Sequence, residues 1–298
     1  MESKKAIWIK IIIFLSLLFL LSFAFSLLPP FEAEGFNSSM VSAYAMIPAT
    51  CALLTKFLTK EPHNPVVDGR CLKYTAIGWY LILFLLVCGF ALYFLIHPSW
   101  LNRDGDTSLA RNTLFAELLF LGGIVDSIAT IGEEFGWRGY LVPKLTQTIG
   151  VVPATILTSL IWAVWHIPLL SEDAFLVQFA TSDSLDFSWF LLFMFGYVPL
   201  SLAIGMILTF VSLKGRSSIP AAFGHACYNR CMVGFIVLLD PERNEALLSS
   251  FSFDQPLYYC IALMFAVGIP MMVHLRKLEK QGKLTFQPDL DGQDGGGT

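Results

Sequence analysis

The run YTAIGWYLILFLLVCGFALYFLI, residues 74–96, holds 23 consecutive residues without one charged side chain. As a helix it would be about 34 Å long at 1.5 Å per residue, enough to cross the roughly 30 Å of hydrocarbon in a bilayer. A helix there satisfies its own backbone groups, which irregular chain in lipid cannot do. Working outward from this run, further apolar stretches of spanning length occupy residues 7–28, 40–57, 114–131, 151–170, 187–213, 219–239 and 256–274. Composition agrees: of 298 residues 55% are hydrophobic, 26 are Phe and 14% are charged, and the mean hydropathy is +0.65. Soluble chains carry about a quarter charged residues, so this one lacks the side chains to coat a water-facing surface. The expected fold is all-α, a polytopic transmembrane helix bundle of about eight spans.

The cations test that count. Alternate loops hold Lys4, Lys5 and Lys10; Lys56, Lys60, Arg70 and Lys73; Arg138 and Lys144; Lys214 and Arg216; and Arg276, Lys277, Lys280 and Lys283. The opposite loops hold Arg103, Arg111 and Arg243, while Arg230 falls inside a span. Positive charge collects on the cytoplasmic side, so both termini are expected there. The first apolar run exceeds the 7–15 residues of a signal-peptide core and leads into Pro29-Pro30, so a retained helix is expected. The net charge of −4 decides little. Cys51, Cys71, Cys88, Cys227, Cys231 and Cys260 show no CxxC spacing, and no disulfide framework is expected. Residues 1–113 are read as the first three spans, 114–239 as a functional core, 240–284 as the last span with its basic end, and 285–298 as a disordered tail.

Ionisable groups inside apolar spans need a partner or a cavity, and they point to function. Here they are Glu117, Asp126, Glu133, Glu134, His166, His225 and Arg230, with Asn229 as a polar companion. In EEFGWR, Glu134 and Arg138 are four apart and share a helical face, whereas Glu133 points about 100° away. Arg138 can therefore hold Glu134 while Glu133 faces a cavity; an ion pair where the helix leaves the membrane would also explain the motif. In WAVWH, Trp162 lies one turn before His166, close enough for the indole to pack against the imidazole. In HACYN, His225 and Asn229 share a face at i and i+4, which also suits a structural hydrogen-bonding pair. Cys227 lies near the opposite face from His225, which argues against a His-Cys metal site. Converging on one cavity, these groups suit hydrolysis: a carboxylate beside imidazoles activates water, and an Asn and a His stabilise an oxyanion.

Together the three segments resemble the CAAX protease and bacteriocin-processing family, also called CPBP or Abi, which is similar to type II CAAX prenyl endopeptidases. Its pattern is EExxxR, an aromatic-xxx-His segment, then HxxxN or HxxxD. These read here as Glu133-Glu134…Arg138, Trp162…His166 and His225…Asn229, within residues 114–239; Trp162 stands where Phe is commonest. The resemblance implies Glu133 as general base, His166 holding the attacking water, His225 and Asn229 serving water or oxyanion, and Glu134 with Arg138 supporting. It leaves metal dependence open, with Glu133, His166 and His225 as the ligands of a divalent ion such as zinc.

The expected activity is thus an intramembrane endopeptidase acting near the cytoplasmic face of the cell membrane, on a CAAX-type or bacteriocin-like peptide. The expected partners are a peptide or protein substrate and the bilayer, with no nucleic acid. A non-catalytic immunity or peptide-binding protein is the alternative, and a proton-coupled transporter using Asp126 and Glu133 a third reading. Counted from their helix starts, His225 lies roughly 9 Å and His166 roughly 22 Å deep. The helix starting at Val151 is therefore expected to begin in or outside the headgroups, around Val151–Ala154.

Overall fold

The computed structural model describes residues 2–26, 38–61, 69–103, 105–121, 123–167, 190–191, 193–242 and 254–284, without the side chains of 26, 38–41 and 123–126. The tail expected to be disordered lies outside these residues. Every regular element among them is a helix, with one isolated antiparallel bridge between Leu101 and Leu239. In chain order the α-helices are α1 (Lys4–Ser26), α2 (Ser38–Ala45), α3 (Ile47–Leu58), α4 (Gly69–Ile96), α5 (Ser108–Leu118), α6 (Gly123–Gly136), α7 (Val142–Ile149), α8 (Val151–Trp165), α9 (Val198–Gly215), α10 (Ile219–Phe235) and α11 (Pro256–Lys280). Two π-helical turns, Trp137–Leu141 and Phe193–Tyr197, lead into α7 and α9.

Four segments are long and apolar enough to cross a membrane: Lys4–Phe25, Gly69–Ile96, Phe193–Gly215 and Pro256–Lys280. Their outward faces are apolar; Phe84, Leu95 and Val273 are exposed, as side chains meeting lipid would be. This is an integral membrane protein. The other expected runs are shorter or interrupted. Run 40–57 divides at Met46, because Pro48 has no N–H to continue the helical ladder. Run 114–131 divides between α5 and α6: Phe120 turns left-handed at φ 60°, and Gly122-Gly123 follow, which hold a helix poorly. Helix α8 ends at Trp165, short of the expected 170, and residues 168–170 lie outside the description.

Helix α10 is the hub, packed on α4, α5, α6 and α9. Trp79, Ile82 and Leu86 of α4, Leu208 of α9 and Ala221 of α10 are buried in the shared core. Thr130 of α6 donates to the Ala222 carbonyl at 2.9 Å and so fixes α6 against α10. On its other side α6 presents Gly132 and Gly136, a small-xxx-small pair of the kind that lets helices touch. A Cβ at Gly136 would lie 2.4 Å from Pro48 Cβ, and one at Gly132 would lie 2.8 Å from the Ala45 carbonyl. Nothing but glycine fits this approach without a shift.

One end of the bundle is closed by charge. Glu61 accepts from Lys144, lies 3.4 Å from Lys10 Nζ and accepts from Tyr140 at 3.1 Å, joining α1 and α7 to the chain after α3. Burial alone would raise the Glu61 carboxyl, but Lys144, Thr59 and Lys10 outweigh it and hold it below its ordinary value. Nearby, Glu279 accepts from the Val151 N–H at 2.8 Å and Lys4 donates to the Thr148 carbonyl at 3.3 Å. The start of α8 is thus set among polar and charged groups.

Candidate active site

The EEFGWR segment ends α6 and enters the π turn. There the Val142 N–H reaches the Trp137 carbonyl, five residues back rather than four. Such single wide turns recur at functional sites. Glu134 and Arg138 keep the expected pairing: Arg138 Nη1 donates to Glu134 Oε1 at 2.9 Å, with both side chains buried. The same carboxylate oxygen lies 3.1 Å from His225 Nδ1. A carboxylate only accepts, so His225 carries its proton on Nδ1 and Glu134 binds two donors on two helices. The guanidinium also lies 5.0 Å from the Trp162 ring centroid, a cation–π distance.

Glu133 faces elsewhere, as the helical spacing predicts. Its Oε2 accepts from Trp162 Nε1 at 2.9 Å and lies 3.7 Å from His166 Nε2. His166 follows directly on α8, and its Nδ1 is 2.8 Å from the Trp162 carbonyl. A carbonyl accepts, so Nδ1 bears hydrogen and Nε2 of the neutral ring presents a lone pair to Glu133. With Glu133 ionised and His166 neutral, two acceptors face one another across a gap too long for a hydrogen bond between them. The indole of Trp162 lies edge-on to both imidazoles, with centroids at 5.0 Å from His166 and 5.2 Å from His225.

The structure therefore brings Glu133, Glu134, Arg138, Trp162, His166 and His225 into one buried cluster. Asn229, one turn beyond His225, is exposed rather than buried among them. The side chain of Asp126 lies outside the described residues. Glu117 and Arg230 pair with each other instead, at 3.1 Å from Nε to Oε1. By the resemblance Glu133, His166 and His225 would be the residues to hold a divalent ion; as they stand, their ligand atoms do not all come within 4.8 Å of one another. This oxygen and nitrogen donor set suits zinc with one position open.

Sequence reasoning missed several parts of the surroundings. Trp162 appeared there as packing, yet it donates to Glu133. Trp165 sits edge-on to His166 at 4.8 Å and is held by Ser22, which accepts from its Nε1, and by stacking on Tyr44 at 4.5 Å. The clustering of Trp162, Trp165 and His166 in one turn was the available signal. Tyr197, 5.4 Å from the His166 ring, comes from a π turn that no local pattern announced.

Residues 115–231, which contain all of these motif positions, match the family described as Type II CAAX prenyl endopeptidase Rce1-like. The chain is also similar to a CAAX prenyl protease 2 of Methanococcus maripaludis, 32% identical over 112 residues, or 37% of each chain. The match spans a little over a third of the length of that curated relative.

Proposed function

That residues 115–231 belong to the Rce1-like family of type II CAAX prenyl endopeptidases is the premise from which we propose an intramembrane endopeptidase that works through water held by Glu133 and His166. The observation that carries this reading is the 3.7 Å separation of Glu133 Oε2 and His166 Nε2, two acceptors that one water can bridge with its two protons. The water oxygen then keeps lone pairs for a peptide carbonyl carbon. As the new C–O bond forms, Glu133 takes the proton it was accepting, and negative charge moves to the peptide oxygen. With hydrogen on both ring nitrogens, His225 gives Nδ1–H to Glu134 and donates Nε2–H to that oxygen, a bond worth about 3 kcal/mol when well placed; Asn229, exposed one turn on, joins it only by turning inward. Collapse breaks the C–N bond, and Glu133 returns its proton to the departing amine. Glu134 and Arg138 support the cluster by holding His225, and Trp162 aims Glu133. Zinc held by Glu133, His166 and His225 would polarise the carbonyl and make its bound water more acidic.

The relative's name suggests a CAAX-type substrate, the C-terminal peptide of a prenylated protein. Processing of an unprenylated or bacteriocin-like peptide is the same reaction on a different chain. We place the protein in the cell membrane with eight crossings and both termini cytoplasmic, following the Lys and Arg distribution. Helices α5 and α6 would then make one crossing as a broken pair, since their 11 and 14 residues together rise about 37 Å. The polar groups around Val151 support a start for α8 at the headgroups.

The test is cleavage of a quenched fluorescent peptide, farnesylated or unmodified, by the purified protein in liposomes. Release from the wild type and none from His166→Ala is the expected result; equal release from both overturns the mechanism. Preference for the farnesylated peptide assigns the CAAX class, and indifference assigns general peptide processing. Activity lost on chelation and restored by zinc assigns the metal route, whereas full activity in metal-free protein assigns Glu133 alone.

A further inference from the structure

A second cluster of ligating side chains lies on another side of α10, apart from the site described above. Cys227 and Cys231 are four residues apart and share a face of that helix, and Glu117 meets them from α5. One carboxylate oxygen and the two Sγ atoms all lie within 4.8 Å of one another, and all three residues are buried. Arg230 Nε stands 3.1 Å from Glu117 Oε1, and Trp79 Nε1 donates to the Glu117 carbonyl at 2.9 Å, pinning that stretch of α5 to α4.

We infer that Glu117, Cys227 and Cys231 form a structural site for a zinc-like divalent cation that ties α5 to α10. The chemistry is apt: two sulfurs and one oxygen are a zinc donor set, with zinc–sulfur distances near 2.3 Å. Tetrahedral ligands at that radius stand about 3.8 Å apart, so small side-chain rotations close the site without moving either helix. Glu117 can turn one oxygen to the ion while the other keeps Arg230. Two thiolates, one carboxylate, one guanidinium and one divalent cation sum to zero charge, as a low-dielectric interior requires. Such an ion touches none of the reacting groups. It braces the helix that carries His225, and it is independent of the activity proposed above.

The experiment is a Co2+ titration of the reduced, metal-depleted full-length protein in detergent micelles. One equivalent should bind with an intense sulfur-to-cobalt charge-transfer band. Cys227→Ser and Cys231→Ser should each remove that band and weaken Co2+ binding by about tenfold or more. His166→Ala should leave the band intact, which separates this site from any metal at Glu133. Absence of the band in folded wild-type protein overturns the inference and leaves the thiols as neighbours of a Glu117–Arg230 ion pair; a band that survives both serine variants overturns it equally. Should those variants fail to fold, X-ray absorption of the zinc-loaded wild type decides. Two sulfur scatterers near 2.3 Å support the site, and purely nitrogen and oxygen ligation refutes it.

Discussion

Two buried carboxylates meet cations around helix α10, Glu134 with the buried Arg138 and Glu117 with the partly exposed Arg230. Both carboxylates are fully buried, but Arg138 lies one turn beyond Glu134 on the same segment, whereas Arg230 reaches Glu117 from α10. The first pair has Glu133 next to it in sequence, and that second carboxylate is given an indole N–H and an imidazole lone pair. A buried ion pair is therefore no mark of chemistry by itself; burial requires a partner, and a partner suffices for structure. What marks the first cluster is Glu133 and His166 turned towards each other at 3.7 Å, with no hydrogen bond joining them among the described residues.

The contrast breaks most sharply at Glu133. Glu133→Gln should lower peptide cleavage in liposomes by about 10²–10⁴-fold, the span of general base catalysis, and change stability by less than about 1 kcal/mol. Turnover near the wild type would erase the distinction between the clusters. Glu134→Ala leaves Arg138 and His225 buried without their acceptor, so a loss of about 3–5 kcal/mol in denaturant unfolding is expected. Gly136→Ala forces a Cβ onto Pro48 and should cost about 1–3 kcal/mol by the same measurement, with cleavage falling as α6 shifts. Glu117→Gln should cost about 1–2 kcal/mol, because the partly exposed Arg230 recovers solvation, and leave cleavage unchanged.

The smallest effect belongs to the charged end of the bundle. Glu61 has its carboxyl lowered in the folded protein. Its stabilising contribution is complete above the unfolded value of about 4.3 and is lost as pH falls through the lower folded value. Thermal midpoints should therefore decline on the acid side, and Glu61→Gln should flatten part of that decline. An unchanged acid profile in the variant would show that Glu61 does not couple α1 to α7.

Long uninterrupted runs were legible in the sequence because length and apolarity are additive along a chain. Residues 74–96 and 256–274 fall within single helices, α4 and α11. Interruptions were harder to see, since Pro48 and the Gly122-Gly123 pair each weigh little against twenty apolar neighbours. Helical spacing correctly separated Glu133 from Glu134, because direction around a helix is local information. It also placed Asn229 on the face of His225, but a face is not a depth, and Asn229 emerges exposed one turn on. The glycines on either side of the paired glutamates, IGEEFG, were a readable sign of close helix contact that went unread. No spacing rule could have supplied Tyr197, whose approach to His166 depends on a distant helix and a widened turn.

Trp162 makes two bonds in this cluster, from opposite parts of the same residue. Its side chain holds Glu133 across the gap to α6, and its carbonyl holds His166 at the end of α8. Both jaws of the gap are therefore gauged from one residue, as in a caliper, and a slide of α8 carries the two contacts together. The opening then depends on the torsions of one indole more than on how well two helices stay in register. Any deformation of the bundle that moved α8 would still present Glu133 and His166 to one another at a constant spacing.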